Sequence, residues 1–468
     1  MAASEDPPAP GDRPARDRRR LTEGPVGATL FHLSWPMTVG LLSVIAFNVV
    51  DTLYIGRLGA DPLAAIGFCF PVIFSTSAVA IGLGTGAGAL VSRAIGAGSM
   101  DEARRISTNA LLLATIIVGA LTALGAATIE PLFKNVLGAP AELIPLIESY
   151  MLTWYAGMAF LVVPMVGNSI LRANGESILP SAMLVVAAIL NAVLSPPLIF
   201  GLFGAPRLEM AGAAIATALS RSTMLFVTFW LMQTRGRLID WSGASLKSFV
   251  PDAGSVLRVG GLASIAQAIQ PLSSIAITRL LSGFGASAVA GFAVGARIEA
   301  LFLVPFFALQ TGLAPFVGQN AGAGAAERIA KARERAVAFI IGWAAVAFVV
   351  LWAFGETIAG WFTPDPEIAK LSARYLFCVS AGFVGAGLLL TTNATLNPLN
   401  RPLFALTLTA LRFIGVYLPL GIVFSRLEGP EGVFAAAGLS YVVAGGAAFL
   451  MGRWAIGRVQ TSAVPAAG

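Results

Sequence analysis

The stretch HLSWPMTVGLLSVIAFNVVDTLYIGRL, residues 32–58, decides the fold class of this chain. Within it, residues 33–55 are almost all apolar and include one charged residue, Asp51. A helix of about 20 residues that rises 1.5 Å per residue spans the hydrocarbon core of a bilayer, which is about 30 Å thick. The stretch therefore predicts a transmembrane helix that carries a carboxylate inside the membrane.

Asp51 is the residue of this helix that most needs an explanation. A charged side chain at the bilayer centre costs roughly 2.5–3.5 kcal/mol on insertion scales, so the carboxylate is expected to face protein or water. Asn48 and Tyr54 share its helical face and neither is basic, and residues 33–55 contain no Lys or Arg. We interpret Asp51 as functional. The alternative is a structural acid that caps a helix end or pairs with a basic residue of the bundle.

The composition is that of a polytopic helical membrane protein. Of the 468 residues, 57% are hydrophobic and 12% are charged, against about 25% charged in soluble globular proteins. The mean hydropathy is +0.81, and the many glycines and prolines fit membrane helices, where neighbouring helices satisfy the backbone groups that they disturb. Cys69 and Cys378 lie in separate apolar segments and are interpreted as packing residues.

Apolar segments recur along the chain and predict an all-α fold with about twelve membrane spans. A Pro- and Arg-rich segment, residues 1–25, is predicted to be a disordered basic cytoplasmic tail. The connections after even-numbered spans, counted with Arg258 at the start of the seventh span, carry thirteen Lys and Arg residues, and those after odd-numbered spans carry four. This bias predicts that both termini are cytoplasmic, and it accounts for the basic charge without nucleic-acid binding. The predicted spans are 32–56, 63–92, 106–129, 143–170, 178–203, 210–234, 256–281, 288–317, 336–358, 368–396, 402–425 and 432–456.

The two halves of the chain resemble each other. Glycine landmarks recur 226 positions apart: Gly59 with Gly285, Gly86 with Gly312, and Gly96 with Gly322. Because six spans return the chain to the same side, this repetition predicts two six-helix lobes related by a parallel pseudo-two-fold repeat, the layout of alternating-access transporters. The predicted units are an N-terminal lobe 26–234, a cytoplasmic linker 235–255, a C-terminal lobe 256–456 and a cytoplasmic tail 457–468.

Uncharged polar residues cluster in the first half. Tyr150 and Asn168 are five helical turns apart and share one face of the fourth span, and Asn191 and Ser195 do so on the fifth. Thr217 interrupts an Ala-rich sixth span. Each of these is explained alone by an interhelical hydrogen bond, worth about 0.6 kcal/mol on average in membranes. Together with Asp51 they would form an oxygen-rich site for H⁺ or Na⁺. The other acids near spans, Glu148, Glu299 and Glu356, are interpreted as interfacial charges.

Four motifs in order resemble the multidrug and toxic compound extrusion (MATE) transporters: VDTLYIGRLGADPLAAIG at 50–67, LVSRAIGAG at 90–98, ILRANG at 170–175 and GQNAGAG at 318–324. The resemblance extends over residues 30–456. It implies two six-helix lobes around a V-shaped cleft, and export of organic cations or other amphipathic compounds driven by H⁺ or Na⁺.

The resemblance also implies roles for individual residues. Asp51 corresponds to the acid of the first span, and Pro36 to the position where the family's first helix bends. The positions that form a cation site in the family correspond here to Tyr150, Asn168, Asn191 and Thr217. The chain departs from the pattern at Ser195, where the family often has a second carboxylate, and at Gln270, where some branches carry an acid on the seventh span. Coupling is therefore expected to rest mainly on Asp51.

The second and eighth spans occupy equivalent places in the repeat, so substrate contacts are expected between them. The candidates are Phe68, Phe74, Phe302 and Phe306, together with Gln270 on the seventh span. Core or lipid-facing packing remains the alternative for each phenylalanine.

These observations predict a cation-coupled antiporter, H⁺- or Na⁺-driven, that exports drugs or amphipathic metabolites across a bacterial inner membrane. The expected partners are a small-molecule substrate and the bilayer, with no nucleic acid, no cofactor beyond the coupling ion, and a monomeric state. Na⁺ at Asp51 is the one metal that the residues suggest. A flippase of the same superfamily for lipid-linked oligosaccharides is the alternative, and it would require arginines in the cleft, for which the candidates are Arg221, Arg279, Arg297 and Arg412. A membrane-embedded enzyme lacks a catalytic constellation, since the chain has a single histidine, His32. A channel does not need a tandem repeat.

Overall fold

We describe a computed structural model of the chain, which defines residues 21–241 and 245–463. Over these residues the chain is helical apart from short connections. The helices are α1 Val26–Gly56, α2 Ala60–Gly96, α3 Met100–Ala127, α4 Ile144–Ala173, α5 Ile178–Phe200, α6 Glu209–Leu231, α7 Leu246–Ser282, α8 Ala286–Gly322, α9 Ala326–Gly360, α10 Pro366–Ala381, α11 Phe383–Leu396, α12 Pro402–Ala410, α13 Leu418–Glu428 and α14 Pro430–Ala463.

Within the described ranges, ten helical segments are long and apolar enough to cross a membrane by themselves. One of the ten, Pro402–Glu428, joins α12 and α13 through a π-helical turn, Leu411–Tyr417. α10 and α11 form an eleventh span that is bent by 56° between its two halves. α7 is 37 residues long but has Gln267 and Gln270 in its middle, and it is too polar to meet the same test. With α7, the segments correspond to the twelve predicted spans, and the all-α membrane fold is confirmed.

The helices form two lobes, α1–α6 and α7–α14, and each lobe has its own apolar core. In the first lobe Phe133 and Met151 are fully buried at the centre of such a cluster. In the second lobe Phe306, Phe383 and Phe434 hold the equivalent place. Cys69 and Cys378 have free thiols, and Cys69 is buried in the first of these cores.

Reciprocal contacts between α2 and α8 relate the lobes. The backbone of Gly96 packs against the carbonyl of Gln319, and that of Gly322 packs against the carbonyl of Arg93, so closely that a Cβ at either glycine would overlap the carbonyl. Gly96 and Gly322 are 226 positions apart, and so are Arg93 and Gln319. The two contacts are thus one contact repeated about the pseudo-two-fold axis, and the predicted repeat is confirmed.

A second pair of repeat-related contacts joins each lobe to a helix of the other. Gly86 of α2 packs against the backbone of Gly260 in α7, and Gly312 of α8 packs against Ser34 of α1. We call the side of the molecule where α1 and α7 begin the terminal face. These contacts lie in the half of the molecule next to that face, and small residues allow the backbones to approach there.

Each lobe also holds the start of the helix that leads from the terminal face into the other lobe. Asp252 of α7 accepts hydrogen bonds from Arg105 Nε at 3.0 Å and Asn109 Nδ2 at 2.7 Å, both on α3. Arg328 of α9 donates to three backbone carbonyls within residues 21–24, which precede α1. The start of α7 is therefore held through its own side chain, Asp252. The segment before α1 is held through its backbone carbonyls, which accept hydrogen bonds from Arg328.

The terminal segments and the linker depart from their expected boundaries. Of the predicted tail 1–25, residues 1–20 lie outside the described part, whereas Leu21 is buried and its N–H donates to Gln319 Oε1 at 3.0 Å. Of the predicted linker 235–255, residues 246–255 already belong to α7. α14 continues through residues 457–463, and residues 464–468 lie outside the described part.

Candidate functional site

Asp51 lies in α1 on a face that packs against α5. Three residues along the same face, Tyr54 Oη lies 3.5 Å from the carbonyl oxygen of Ala192. On α4, Tyr150 is buried and lies close enough for the Asp51 charge to act on its phenol. Within residues 21–241 and 245–463, the buried Oδ1 of Asp51 has no hydrogen-bond partner. Buried polar atoms without a protein partner are rare in native proteins, and a bound ion or water commonly satisfies them.

A row of hydrogen-bonded polar side chains joins α5 to α6. Ser195 Oγ donates to Asn191 Oδ1 at 3.2 Å, and Asn191 Nδ2 donates to Thr217 Oγ1 at 3.2 Å. Asn191 and Ser195 are almost completely buried. The structure thus brings together Asn191, Ser195 and Thr217, three of the site residues predicted from the sequence, beside the helix face that carries Asp51.

Asn168 does not join this row. Its Oδ1 accepts a hydrogen bond from Thr228 Oγ1 at 3.3 Å, near the end of α4 at the terminal face. The 18 residues that separate it from Tyr150 correspond to about 27 Å along a helix. Sequence spacing showed that the two share a helix face, but a shared face does not bring residues five turns apart together. Asn168 therefore makes an interhelical contact.

The chemistry of this set suits a monovalent cation. Among the described residues, no three His, Cys, Asp or Glu side chains come together as a metal-binding group. A cation at Asp51 would have one carboxylate, with amide, hydroxyl and phenol oxygens on α4, α5 and α6 as its neighbours. Oxygen ligands of this kind suit hard cations, and the carboxylate alone suits a proton.

Two stretches of the chain, residues 36–196 and 263–423, each match the MatE family model, and together they make up more than half of the chain. The chain belongs to the MATE family. It is accordingly a multi-pass membrane protein of a family of multidrug and toxic compound efflux transporters, which are transporters rather than enzymes. The two matches fall one in each lobe, as the repeat requires.

Relatives and solved structures match between 70% and 93% of the chain. The FAD transporter of Shewanella oneidensis is 33% identical over 436 residues, which cover 93% of this chain and 96% of the relative. The probable multidrug resistance protein NorM of Thermotoga maritima is 27% identical over 335 residues, 70% of each chain. The crystal structure of the Vibrio cholerae MATE transporter VcmN in the bent form superposes with a TM-score of 0.87 at 30% identity, covering 93% of this chain and 98% of that one.

Pro36, the predicted bending point of this MATE protein, lies where α1 touches both lobes. Ser34 packs against Gly312 of α8, and Met37 Sδ accepts a hydrogen bond from Ser181 Oγ of α5 at 3.1 Å. The Ser34 hydroxyl is buried without a partner among the described residues. A bend at Pro36 would therefore alter a contact between the lobes.

The predicted cleft residues divide into two groups. Phe306 is completely buried in the core of the second lobe, where it packs edge-to-face on Phe383. Phe68 and Phe302 are half-buried against the two lobe cores. Phe74 and Gln270 are exposed. A phenylalanine in an apolar helix gives no sequence signal for the core or the cleft.

The acids and arginines of the second half also need reassignment. Glu148 and Glu356 are exposed near helix ends, but Glu299 is buried, and its interpretation as an interfacial charge is wrong. The sequence around Glu299 does not reveal its burial, because its partners come from distant helices. Arg279 and Arg297 are exposed, whereas the Arg221 and Arg412 guanidinium groups stack on the rings of Phe47 and Phe413. Two of the four arginines that the flippase alternative invoked are thus half-buried inside the lobes.

Proposed function

We propose that this MATE protein is a cation-coupled antiporter, driven by H⁺ or Na⁺, that exports amphipathic small molecules by alternating access. The observation that carries the proposal is the Asp51 carboxylate. One of its oxygens is buried without a protein partner among the described residues, beside the polar row Asn191–Ser195–Thr217. An intramembrane acid placed in this way is most simply an ion-binding group.

Binding of the cation would act on the lobes through α1. When H⁺ or Na⁺ neutralises Asp51, the cost of burying the carboxylate falls, and the outer half of α1 can pack more deeply into the first lobe. A bend near Pro36 accommodates this shift and reduces the space for substrate. Because Ser34 contacts Gly312 of the other lobe, the same bend loosens the contact between α1 and α8 near the terminal face. These linked changes would exchange export of the substrate for entry of the cation.

The location proposed for the protein is a bacterial inner membrane, with both termini in the cytoplasm and the chain acting as a monomer. Support comes from the thirteen Lys and Arg residues on one set of connections against four on the other. The terminal face is then the cytoplasmic face.

Two substrate classes follow from different observations. Drugs are the first candidate, because several relatives are described as multidrug resistance or multidrug export proteins. A flavin dinucleotide is the second candidate, because a relative that is 33% identical is described as an FAD transporter.

The test is transport by the purified protein in liposomes, with ethidium and FAD as separate substrates. Imposed gradients of H⁺ alone, Na⁺ alone or neither identify the coupling ion. We expect gradient-driven transport of at least one substrate by the wild type and its loss in Asp51→Asn. Asp61→Asn is the matched control, since it removes an exposed carboxylate in the first turn of α2.

Gradient-driven transport that persists undiminished in Asp51→Asn would contradict the assignment of the coupling acid. Transport of FAD with no transport of ethidium would select the second substrate class. Transport of both at equal rates with and without gradients would contradict the antiport mechanism itself.

A further inference from the structure

A basic and aromatic surface lies at the terminal face of the second lobe, where α12 begins and where the end of α14 joins the apolar cluster around the approach to α1. The guanidinium carbon of Arg401, the residue before α12, lies 4.3 Å from the centre of the Trp454 ring of α14. The guanidinium carbon of Arg458 lies 5.8 Å from the centre of the same ring. The edge of the Phe404 ring packs against Trp454, with 5.3 Å between the ring centres. We call these four residues the Trp454 cluster, in which two positive charges share one aromatic ring.

Arg401 is held in this cluster by stacking and not by hydrogen bonds. Among the described residues, its buried Nη1 has no hydrogen-bond partner, and no carboxylate oxygen lies within 4.0 Å of its guanidinium nitrogens. A buried donor without an acceptor is costly and needs an explanation. The other arginines described as half-buried at this face each donate to an oxygen of the protein: Arg104, Arg105, Arg172, Arg328 and Arg333. Arg401 is therefore the half-buried arginine here that needs an acceptor from outside the described chain.

The surface that continues from the cluster into the membrane is apolar and exposed. Val443, Leu450 and Trp454 lie at helical spacing on one face of α14, and each is exposed. Arg458 extends this face by one turn beyond Trp454, and Leu403 is exposed at the start of α12. The side chains thus change from aliphatic to aromatic to cationic towards the end of α14. This is the order in which a membrane protein meets acyl chains, the interface and the headgroups of a bilayer.

The first lobe has no such surface at the equivalent positions. Arg401 follows Glu176 by 225 positions, the spacing that relates the ends of α4 and α11, and Glu176 caps the start of α5 by accepting backbone hydrogen bonds. Trp454 follows Thr234 by 220 positions, the spacing that relates the similar stretches GAAIATALS of α6 and GVFAAAGLS of α14. An acid and a threonine therefore stand where the second lobe has the arginine and its tryptophan. The repeat alone does not require the Trp454 cluster.

We propose that the Trp454 cluster binds the headgroup of an anionic phospholipid. The phosphodiester accepts a charge-assisted hydrogen bond from Arg401, and the nearby charge of Arg458 adds to the attraction. Because the Arg401 guanidinium is stacked and not bonded, it can turn an N–H towards the phosphate without breaking a protein hydrogen bond. An acyl chain of the same lipid lies along the exposed face of α14 that carries Leu450. A soluble anion would use the arginines alone, whereas a phospholipid uses both parts of the surface.

The experiment is native mass spectrometry of the full-length protein in detergent, titrated with phosphatidylglycerol or with phosphatidylcholine as the lipid without net charge. We expect the wild type to bind one phosphatidylglycerol several times more tightly than phosphatidylcholine. Arg401→Gln should weaken this binding about fivefold, and Arg401→Gln combined with Arg458→Gln about 25-fold, from the contribution of one basic residue at a membrane surface. Arg426→Gln is the matched control, because it removes an exposed arginine of the same lobe at the opposite face, and it should leave the affinity unchanged.

Arg401→Lys separates a lost contact from a lost fold. It keeps the charge but not the planar group that stacks on Trp454, so its affinity should fall between those of the wild type and Arg401→Gln. Size-exclusion elution shows whether each variant is folded. Equal affinities for the two lipids would reduce the surface to an apolar contact, and an unchanged affinity in the double variant would place the lipid elsewhere. Displacement of phosphatidylglycerol by an equal concentration of inorganic phosphate would make this a site for a soluble anion.

Each of these three outcomes would overturn the proposal. Because the readout needs no transport, a failure of the proposed antiport would not affect it.

Discussion

The two lobes agree in how their helices cross and differ in where their buried acids come from. Gly96 with Gln319 and Gly322 with Arg93 are the same contact in both halves. The first lobe takes its acid from α1, as Asp51, whereas the second takes its acid from α8, as Glu299. At the position of α2 equivalent to Glu299, 226 residues earlier, the chain has Ile73. The backbone packing is therefore repeated between the two lobes, whereas the positions of the buried acids are not.

The surroundings of the two acids differ in a way that bears on ion choice. One oxygen of Asp51 is left without a protein donor, so a cation that needs several oxygen ligands can approach it. Both oxygens of Glu299 already accept hydrogen bonds from tyrosines, so this carboxylate is satisfied within its own lobe. The comparison therefore favours Asp51, rather than Glu299, as the carboxylate that a coupling cation would approach.

The anchors of α1 and α7 give the largest expected difference between the lobes. Asp252→Ala removes the acceptor of Arg105 and Asn109 and leaves the buried amide of Asn109 without a partner. Breaking a buried ion pair costs about 3–5 kcal/mol, and we expect roughly 2–3 kcal/mol here because Arg105 is partly exposed. The measurement is unfolding in mixed micelles with increasing SDS.

The repeat-related position in the second lobe supplies the control for this variant. Lys331 is 226 positions after Arg105, and it pairs with Glu327 on its own helix, with both side chains largely exposed. Lys331→Ala is expected to have no measurable effect on unfolding, because exposed pairs contribute little. Equal destabilisation by the two variants would show that the anchors are equivalent after all.

Much of the architecture could be predicted from sequence because it depends on local patterns of residues. The apolar segments define the spans, and the 226-residue spacing of glycines predicts which contacts repeat, including Gly96 and Gly322. Asn191, Ser195 and Thr217 could be placed together because they lie on two consecutive helices that pack side by side. In these cases the relevant partner is either a neighbour in the chain or a copy in the other half.

The rest depends on helices that are distant in sequence. Glu299 meets Tyr375 and Tyr441, which are 76 and 142 positions further on, and nothing in its own segment distinguishes it from an interfacial charge. The distance of Asn168 from Tyr150 could not be used either, since a shared helix face indicates direction but not depth in the membrane. The burial of Phe306 has no sequence signal, because an apolar residue on a helix between two lobes suits a core and a cleft equally well.

The glycine contacts provide the second test, in which the lobes should behave alike. Gly96→Ala and Gly322→Ala each place a methyl group against a backbone carbonyl that has no room to move. Overpacking of this kind costs about 1–3 kcal/mol, and we expect the two variants to lower the stability to SDS by the same amount. Gly342→Ala on α9 is the control, because a Cβ there meets nothing within 4 Å. A clearly larger effect at one glycine than at the other would show that the two contacts between α2 and α8 are not equivalent.

Ser195→Asp tests how the first lobe chooses its ion. A second carboxylate beside Asp51 disfavours two negative charges at once, so one of the pair should hold its proton to higher pH. If export is driven by H⁺, its alkaline limit should move upwards by about one pH unit, equivalent to roughly 1.4 kcal/mol. Transport in liposomes over a range of pH measures this limit. Ser195→Asn introduces a side chain similar in size but uncharged, and should leave the alkaline limit in place. If the limit shifts equally in Ser195→Asn and Ser195→Asp, the effect is due to shape rather than charge.

The smallest expected change in stability separates the site from an ordinary contact within one lobe. Thr217→Val and Thr228→Val each remove one hydroxyl of α6 that bonds an asparagine, Asn191 in the first case and Asn168 in the second. Each should cost about 0.6 kcal/mol, the mean for hydrogen bonds between membrane helices. Transport should distinguish them: Thr217→Val disturbs the row beside Asp51 and should slow gradient-driven export, whereas Thr228→Val should not. If Thr228→Val slows export as much as Thr217→Val at equal stability, then Asn168 acts in coupling, and the site reaches from the level of Tyr150 to the terminal face.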